Sequence, residues 1–392
     1  MDYRDSPEQA RLRAEVREFV SADPAVRARA FPEDGWIAGF DPEFSKRLAA
    51  RGWLGMTWPK QYGGRERSYL DRLIVTEELL LAGAPVAAHW FGDRQIGPAL
   101  LAHGTPEQKA ELVPRIARAE ISFCIGMSEP DAGSDLAALN TRADLDGDEF
   151  VIRGQKIWTS FAHVADYCEM LVRTDPEVPK HRGITWLIMP MDAPGIDIRP
   201  LRTMEGSTEF CEMFLDEVRV PVANRVGAEN DGWRVAMVTL SFERGTAFVS
   251  EMLQTMELCR DLAALAKKIT RQSATAWEDQ GFQRDLGRLA AELDALWAQT
   301  KRNISEATRK GLVGVGGNVF KLAYTDLRHR LGELALHLLE RASLSLDDVG
   351  ELPTGEHVHG RIHGLSMTIA AGTSQVQKNI VAERVLGLPK DR

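Results

Sequence analysis

The apolar spacing of this chain changes period twice, and few folds accept that order. Up to residue 120 apolar residues recur at helical spacing. "SPEQARLRAEVREFV" opens with Ser6 as N-cap, Pro7 at the first helical position and Gln9 completing a capping box. "DPEFSKRLAARGWLG" repeats the start with Asp41 and Pro42, and "TPEQKAELVPRIARAE" with Thr105, Pro106 and Gln108. "YLDRLIVTEELLLAGAP" is apolar on most sides, which predicts a buried helix, and "TWPKQYGG" reads as a loop cut by Pro59, Gly63 and Gly64. From residue 121 the period shortens. "RADLDGDEFVIRGQKIWTS" sets an Asp146-Gly147 turn between two alternating runs, a hairpin signal, and "GITWLIMPMDAPGIDIRPL" and "EFCEMFLDEVRVP" continue with strand residues. After Gly232 helical spacing returns. "GWRVAMVTLSFERGTAFVSEMLQTMELCRDLAALAKKI" reads as one long helix, and "QRDLGRLAAELDALWAQTKRNI", "FKLAYTDLRHRLGELALHLLERA" and "TSQVQKNIVAERVLG" supply three more. The expected fold is mostly α with a central β domain. A helical domain spans 1–120, a small β domain 121–230 and a helical bundle 231–392.

Composition excludes several classes. A chain of 392 residues exceeds one ordinary domain. Its net charge of −9 is spread along the chain, and no basic, aromatic-rich stretch marks a nucleic-acid surface. The N-terminus lacks the basic-then-apolar pattern of a secretory signal, and no apolar run is long enough for a membrane span, so a cytoplasmic protein is expected. Cys124, Cys168, Cys211 and Cys259 are scattered without a CxxC, which fits reduced buried thiols better than a disulfide frame or a zinc site.

Two stretches carry candidate chemistry. "GMSEPDAGSDLAAL" presents the hydroxyls of Ser128 and Ser134 on a turn whose small residues let backbone N–H groups approach a ligand. Read alone it is better explained as a Gly/Ser/Pro surface turn. "GQKIWTS" ends a strand with Trp158, Thr159 and Ser160, an aromatic that can stack on a flat cofactor followed by two hydroxyls, although Trp is also a common core residue. Elsewhere, His357, His359 and His363 in "GEHVHGRIHG" lack a carboxylate at ligand spacing and read as a solvated loop, with no metal expected. "GLVGVGGNV" follows a helix rather than a strand and reads as an inter-helix turn, not a dinucleotide fingerprint.

Taken in order, "SEPDAGSD", a hairpin, "GQKIWTS", "EVRVP", "FERG" in a long helix and "AGTSQVQ…ERVLG" resemble the acyl-CoA dehydrogenase family, from about residue 5 to the end. The resemblance implies an N-terminal helical domain, a middle β-barrel and a C-terminal four-helix bundle holding FAD. It implies that Ile125, Met127, Ser128, Gly133 and Ser134, with Trp158, Thr159 and Ser160, line the flavin, and that Thr373 and Gln375 contact the cofactor further along. Ser134, Arg244 and Gly372 would meet the acyl-CoA substrate. The implied reaction removes the proton alpha to a thioester and passes the beta hydrogen as hydride to flavin N5, giving a trans-2-enoyl-CoA. Electrons would then leave to an electron-transfer flavoprotein.

That reaction needs a carboxylate within reach of the alpha proton. Many members carry it just before the Gly-Thr of the last motif, where this chain has Ala371. Isovaleryl-type and long-chain-type members carry it before an Arg on the first long C-terminal helix, which here is Glu243 before Arg244. Glu243 is therefore the expected base, and the acyl pocket is expected near "HWFGDRQIGPAL" and that helix. Two family features that reach a neighbouring subunit's FAD have no match: an Arg and Phe after the first bundle helix, and a Gly-Gly-x-Gly turn replaced by "SLSLDDVGELPTGEHVHG". A homo-oligomer is one expectation, and pairing with a different dehydrogenase-like chain in a heterotetramer, as in some actinobacterial members acting on steroid-like acyl-CoAs, is the other. A catalytically silent partner subunit, or a flavin monooxygenase or oxidase on the same fold, are the competing readings of function.

Overall fold

Helices begin where local chemistry satisfies their first N–H groups. The computed structural model describes residues 4–27, 39–246, 249–271, 273–310 and 316–389. Within it, Asp41 accepts a 2.8 Å hydrogen bond from Phe44 N at the start of a helix led by Pro42. Thr105 and Gln108 close a reciprocal capping box ahead of Pro106. Contacts divide the chain into two compact units, Pro7–Glu243 and a second made of Met1–Ser6 with Arg244–Arg392.

The first unit opens with helices α1 (Pro7–Ala22), α2 (Pro24–Arg27), α3 (Pro42–Ala50), α4 (Tyr69–Leu81), α5 (Ala87–Phe91), α6 (Gly97–His103) and α7 (Pro106–Ala117). A single π turn, Gly92–Ile96, joins α5 to α6. The strands follow: β1 (Phe123–Gly126), β2 (Arg142–Asp146), β3 (Glu149–Ser160), β4 (Tyr167–Arg173), β5 (Ile184–Pro190), β6 (Ile196–Leu201) and β7 (Phe210–Pro221). They form one curled sheet in the order β1-β4-β2-β3-β7-β6, with β5 on β4. The predicted hairpin is β2–β3, its register pairing Asp146 with Glu149, and Gly147 takes the positive φ of 66° that the turn demands. Alternate residues of the strands, among them Phe150, Ile152, Met170, Leu187, Met213 and Val218, fill the interior of the curl. Gln108 of α7 donates to the carbonyls of Ala223 and Arg225 at 2.7 and 2.8 Å, tying the helices to the end of the sheet.

The expected long helix after Gly232 is described as α8 (Gly232–Thr246) and α9 (Val249–Ala266), and residues 247–248 lie outside the described residues. A two-residue β8–β9 hairpin (Thr270–Arg271 with Ala274–Thr275) follows. Then come α10 (Gln280–Lys310), α11 (Gly316–Leu339), α12 (Thr354–Ser366) and α13 (Ser374–Ile380). Much of the expected glycine-rich turn, residues 311–315, is outside the described residues.

One expectation is corrected. "GEHVHGRIHG" is not a solvated loop but most of α12, with His357 buried. Its glycines let arginines cross between helices. A Cβ on Gly360 would lie 2.9 Å from Arg328 Nη2, one on Gly332 of α11 would lie 2.6 Å from Arg361 Cδ, and Arg328 Nη2 donates to Gly360 O at 2.8 Å. Packing overrides the poor helix propensity of glycine. Among the described residues no helix is long and apolar enough to cross a membrane.

Candidate active site

The bland and the functional readings of "GQKIWTS" diverge in what Trp158 does, and the backbone decides between them. Along β3 and β7, Lys156 pairs with Met213 but Thr159 pairs with Cys211, so Ile157 and Trp158 together face the single Glu212. This β-bulge puts Trp158 at φ 63°, a left-handed conformation costly for a bulky residue and found at ligand sites. The bulge also turns the indole outward. Trp158 is 57% exposed and touches Phe210 edge-on at 5.8 Å, so it is no core residue. Next to it Thr159 is fully buried, and among the described residues its Oγ1 has no hydrogen-bond partner. Ser160 is half-buried and pairs with Phe210.

The second loop is fixed beneath this bulge. Ile157 N donates to Ser128 O at 3.0 Å, which brings Ser128 beside Trp158. Met127 is held as well, since Lys156 Nζ donates to its carbonyl at 3.1 Å and to Glu129 Oε1 at 2.8 Å. Lys156 is wholly buried. The other acceptor sites of Glu129 take Thr141 N at 2.8 Å and Asn140 N at 2.6 Å, so one carboxylate closes the loop on itself. Desolvation pushes the Glu129 carboxyl up, but the Lys156 charge and these donors outweigh it and hold the group below its ordinary value. Desolvation pushes Lys156 down. Arg173 secures the far side, donating to the carbonyls of Ala137 at 2.6 Å and Lys180 at 2.6 Å. Ile125, Met127, Ser128, Trp158, Thr159 and Ser160 therefore lie on adjoining backbone. Gly133 and Ser134 stand exposed at the outer end of the same loop, where a Cβ on Gly133 would meet nothing within 4 Å. Sequence reading missed Glu129 and Lys156. The signal was present as an acidic residue inside "SEPDAGSD" and a lysine inside a strand otherwise destined for burial.

In the second unit a separate loop carries Gly372, Thr373 and Gln375. Ala371 and Gly372 both take positive φ, 51° and 87°. Thr373 caps α13, accepting from Val376 N at 3.2 Å, and Gln375 is exposed. Residues one face apart on α11 hold the turn. Lys321 Nζ donates to Gly372 O at 2.8 Å, and Asn318 Nδ2 donates to Gln377 Oε1 at 2.8 Å, whose Nε2 donates to Ala371 O at 2.8 Å. Lys321 is fully buried, that carbonyl is the only partner of its ammonium among the described residues, and desolvation pushes its pKa down to about 8. Glu243 and Arg244 belong to α8, but their side chains lie outside the described residues.

Three family models match this chain: the acyl-CoA dehydrogenase N-terminal domain over residues 6–120, the middle domain over 124–218 and the C-terminal domain over 230–386. The chain belongs to the acyl-CoA dehydrogenase family. Acyl-CoA dehydrogenase IpdE1 of Mycobacterium tuberculosis is 40% identical over 351 residues, covering 89% of this chain and 88% of its own. Acyl-CoA dehydrogenase FadE26 of the same organism is 36% identical, covering 98% of each. Among solved structures, the Tcur3481-Tcur3483 steroid ACAD superposes with a TM-score of 0.87 at 34% identity over 100% of both chains. The ChsE4-ChsE5 complex from Mycobacterium tuberculosis gives 0.87 at 35% identity, again over 100% of both. This acyl-CoA dehydrogenase is accordingly an oxidoreductase that dehydrogenates acyl-CoA, with the N-terminal, middle and C-terminal architecture of its relatives.

Proposed function

We propose that the chain binds FAD across the Trp158 bulge and the Met127–Ser134 loop, and that Glu243 is the base that takes the alpha proton. The observation that carries the cofactor assignment is the bulge itself. A strained backbone holds an indole in solvent beside a buried hydroxyl with no partner, which suits a flat heteroaromatic ring that stacks on Trp158 and accepts from Thr159. Bound there, FAD would supply the acceptor for the hydride leaving the beta carbon. Ile125, Met127 and Ser128 would border the ring, Gly133 and Ser134 the mouth through which the CoA chain enters. In the other unit, Gly372, Thr373 and Gln375 would meet substrate and cofactor from a loop stiffened by Lys321 and Gln377.

Glu243 rests on sequence. Ala371 offers only a methyl group where many relatives place the base, and "FERG" offers the alternative carboxylate. Two relatives were solved as pairs of differently named chains. With the missing cross-subunit motifs, this supports a heteromeric enzyme whose partner chain completes the FAD sites, acting in the cytosol and passing electrons to an electron-transfer flavoprotein. The three domains would be 1–120, 121–230 and 231–392.

The test is anaerobic bleaching of the visible flavin band by acyl-CoA thioesters, in wild type and in Glu243→Gln. Bleaching in the first and its loss by about a thousandfold or more in the second is expected, the scale of a removed general base and proton acceptor. Equal rates in both would remove Glu243 from the mechanism. Rapid oxygen consumption would point to an oxidase, and no bleaching with flavin bound to a silent subunit. A full flavin complement in the chain purified alone would defeat the heteromeric arrangement.

A further inference from the structure

The N-terminal helices bury more positive charge than the fold uses. Arg72 on α4 is 4% exposed, and among the described residues its guanidinium makes no ion pair or hydrogen bond, lying instead over the Tyr69 ring at 4.9 Å. Arg94, on the π turn, is 6% exposed and lies over the Trp90 ring at 5.0 Å. Its Nη2 donates to Thr76 Oγ1 at 2.7 Å and its Nε stands 3.0 Å from Asp93 Oδ2, but Nη1 has no partner. Asp93 spends its other oxygen on Gly55 N at 2.8 Å. Neighbouring groups do not balance the sum. His89 is neutral, its pKa pushed down to about 4 by desolvation, and Glu78 is turned to Arg13 and Arg17 of α1. Among the described residues, two guanidinium groups thus face one carboxylate.

Such an arrangement is costly as pure scaffolding. A buried donor left unpaired keeps its desolvation penalty, and the penalty is larger when the group is charged. Both guanidinium groups lie over aromatic rings, and the Arg72 N–H groups and Arg94 Nη1 remain to meet an oxygen ligand, the geometry arginine offers to carboxylates. Position adds a second reason. The segment is a π turn, an irregularity common at functional sites. Its first residue packs on the sheet, since a Cβ on Gly92 would lie 3.6 Å from Phe123 Cδ2 at the start of β1. Four strand residues, about 13 Å at 3.3 Å per residue, lead from Phe123 into the Met127 loop.

We propose that Arg72 and Arg94 bind an acceptor oxygen, a carboxylate or a carbonyl, at the end of the acyl group remote from the thioester. The preferred substrates are then CoA thioesters of oxygenated acids rather than plain alkanoyl-CoAs. Because the site carries an excess positive charge, carboxylate-ended chains bind at least as tightly as oxo-ended ones. This assignment rests on the acyl-CoA dehydrogenase reading and deepens it.

The test is calorimetric binding to the full chain of matched CoA thioesters in several chain lengths, each ending in methyl, carbonyl or carboxylate. At the favoured length, an oxygenated end should tighten binding on the order of 10-fold to 100-fold over methyl, the range of hydrogen bonds to a charged group. Arg94→Met and Arg72→Met should each erase that preference while methyl-ended chains bind as before. Arg94→Gln serves if Arg94→Met does not fold, and Arg94→Lys should retain part of the preference. Equal affinity for all three ends at every length, or a preference that survives both substitutions, overturns the proposal and leaves the dehydrogenase reading standing. Tight binding of a free dicarboxylate without CoA overturns the link to the acyl group. Failure of every thioester to bind sinks both readings.

Discussion

Two buried lysines hold two loops, and they do so under opposite electrostatic terms. In the sheet, Lys156 reaches the Met127 carbonyl with Glu129 as a counter-charge. In the bundle, Lys321 reaches the Gly372 carbonyl with no carboxylate beside it among the described residues, and desolvation lowers its pKa to about 8. The first is a compensated pair, rigid as long as both members stay ionised. The second is a cation kept at a cost, so its grip responds to pH. A loop meant to stay fixed is served by the first design, and a loop whose hold can be tuned by the second.

Removing the counter-charge should have the largest effect. Glu129→Gln leaves Lys156 buried and uncompensated and puts an amide NH2 where either Asn140 N or Thr141 N had an acceptor, so a loss of about 3–5 kcal/mol is expected in urea unfolding, with faster proteolysis between residues 127 and 140. A loss below about 1 kcal/mol would mean that Lys156 does not depend on Glu129 as a counter-charge and that the contrast between the two lysines fails. Acid should act in the same direction. The Glu129 carboxyl lies below its unfolded value of about 4, so its contribution is present above that pH and is lost as pH falls through the folded value.

The pH response of Lys321 sharpens the contrast. Its folded pKa of about 8 lies below an unfolded value of about 10.4. Its contribution is therefore full above the unfolded pKa and is lost as pH falls through the folded one. Stability of wild type relative to Lys321→Met should rise between those two values and stay flat from neutrality down to pH 6. Amide exchange at Ala371–Ser374 reports the same window locally. Parallel profiles for the two proteins would show that the lysine sheds no proton there. The smallest effect on stability belongs to Thr159→Val. The hydroxyl it deletes is already unpartnered, so unfolding should shift by less than about 1 kcal/mol, while flavin retained on dilution falls. Unchanged retention would separate Thr159 from the cofactor.

Legibility followed the range of each signal. The caps at Asp41 and Thr105 and the β2–β3 hairpin were plain in the sequence because each is written within about four residues. The Trp158 segment was readable as a motif, but not the bulge that turns the ring outward, since a bulge is a mismatch with β7, some fifty residues on. Glu129 and Lys156 were overlooked because their value appears only when the fold brings together two positions 27 apart in sequence. The α12 stretch misled for a local reason. Glycines that discourage an isolated helix are what admit Arg328 and Arg361 between two packed ones. Arg72 and Arg94 looked like members of ordinary helices, and only their burial, with Arg94 Nη1 lacking a partner among the described residues, set them apart.

The outward indole at position 158 has a practical corollary. Trp186 and Trp90 are sealed in the interior, whereas Trp158 meets water. Its emission should be red-shifted and open to collisional quenchers such as iodide, and a chromophore stacked against it would extinguish that component first. The protein thus carries an intrinsic lamp at the place where its prosthetic group is expected, and titrating the apoprotein while watching that light dim would count filled sites without a label.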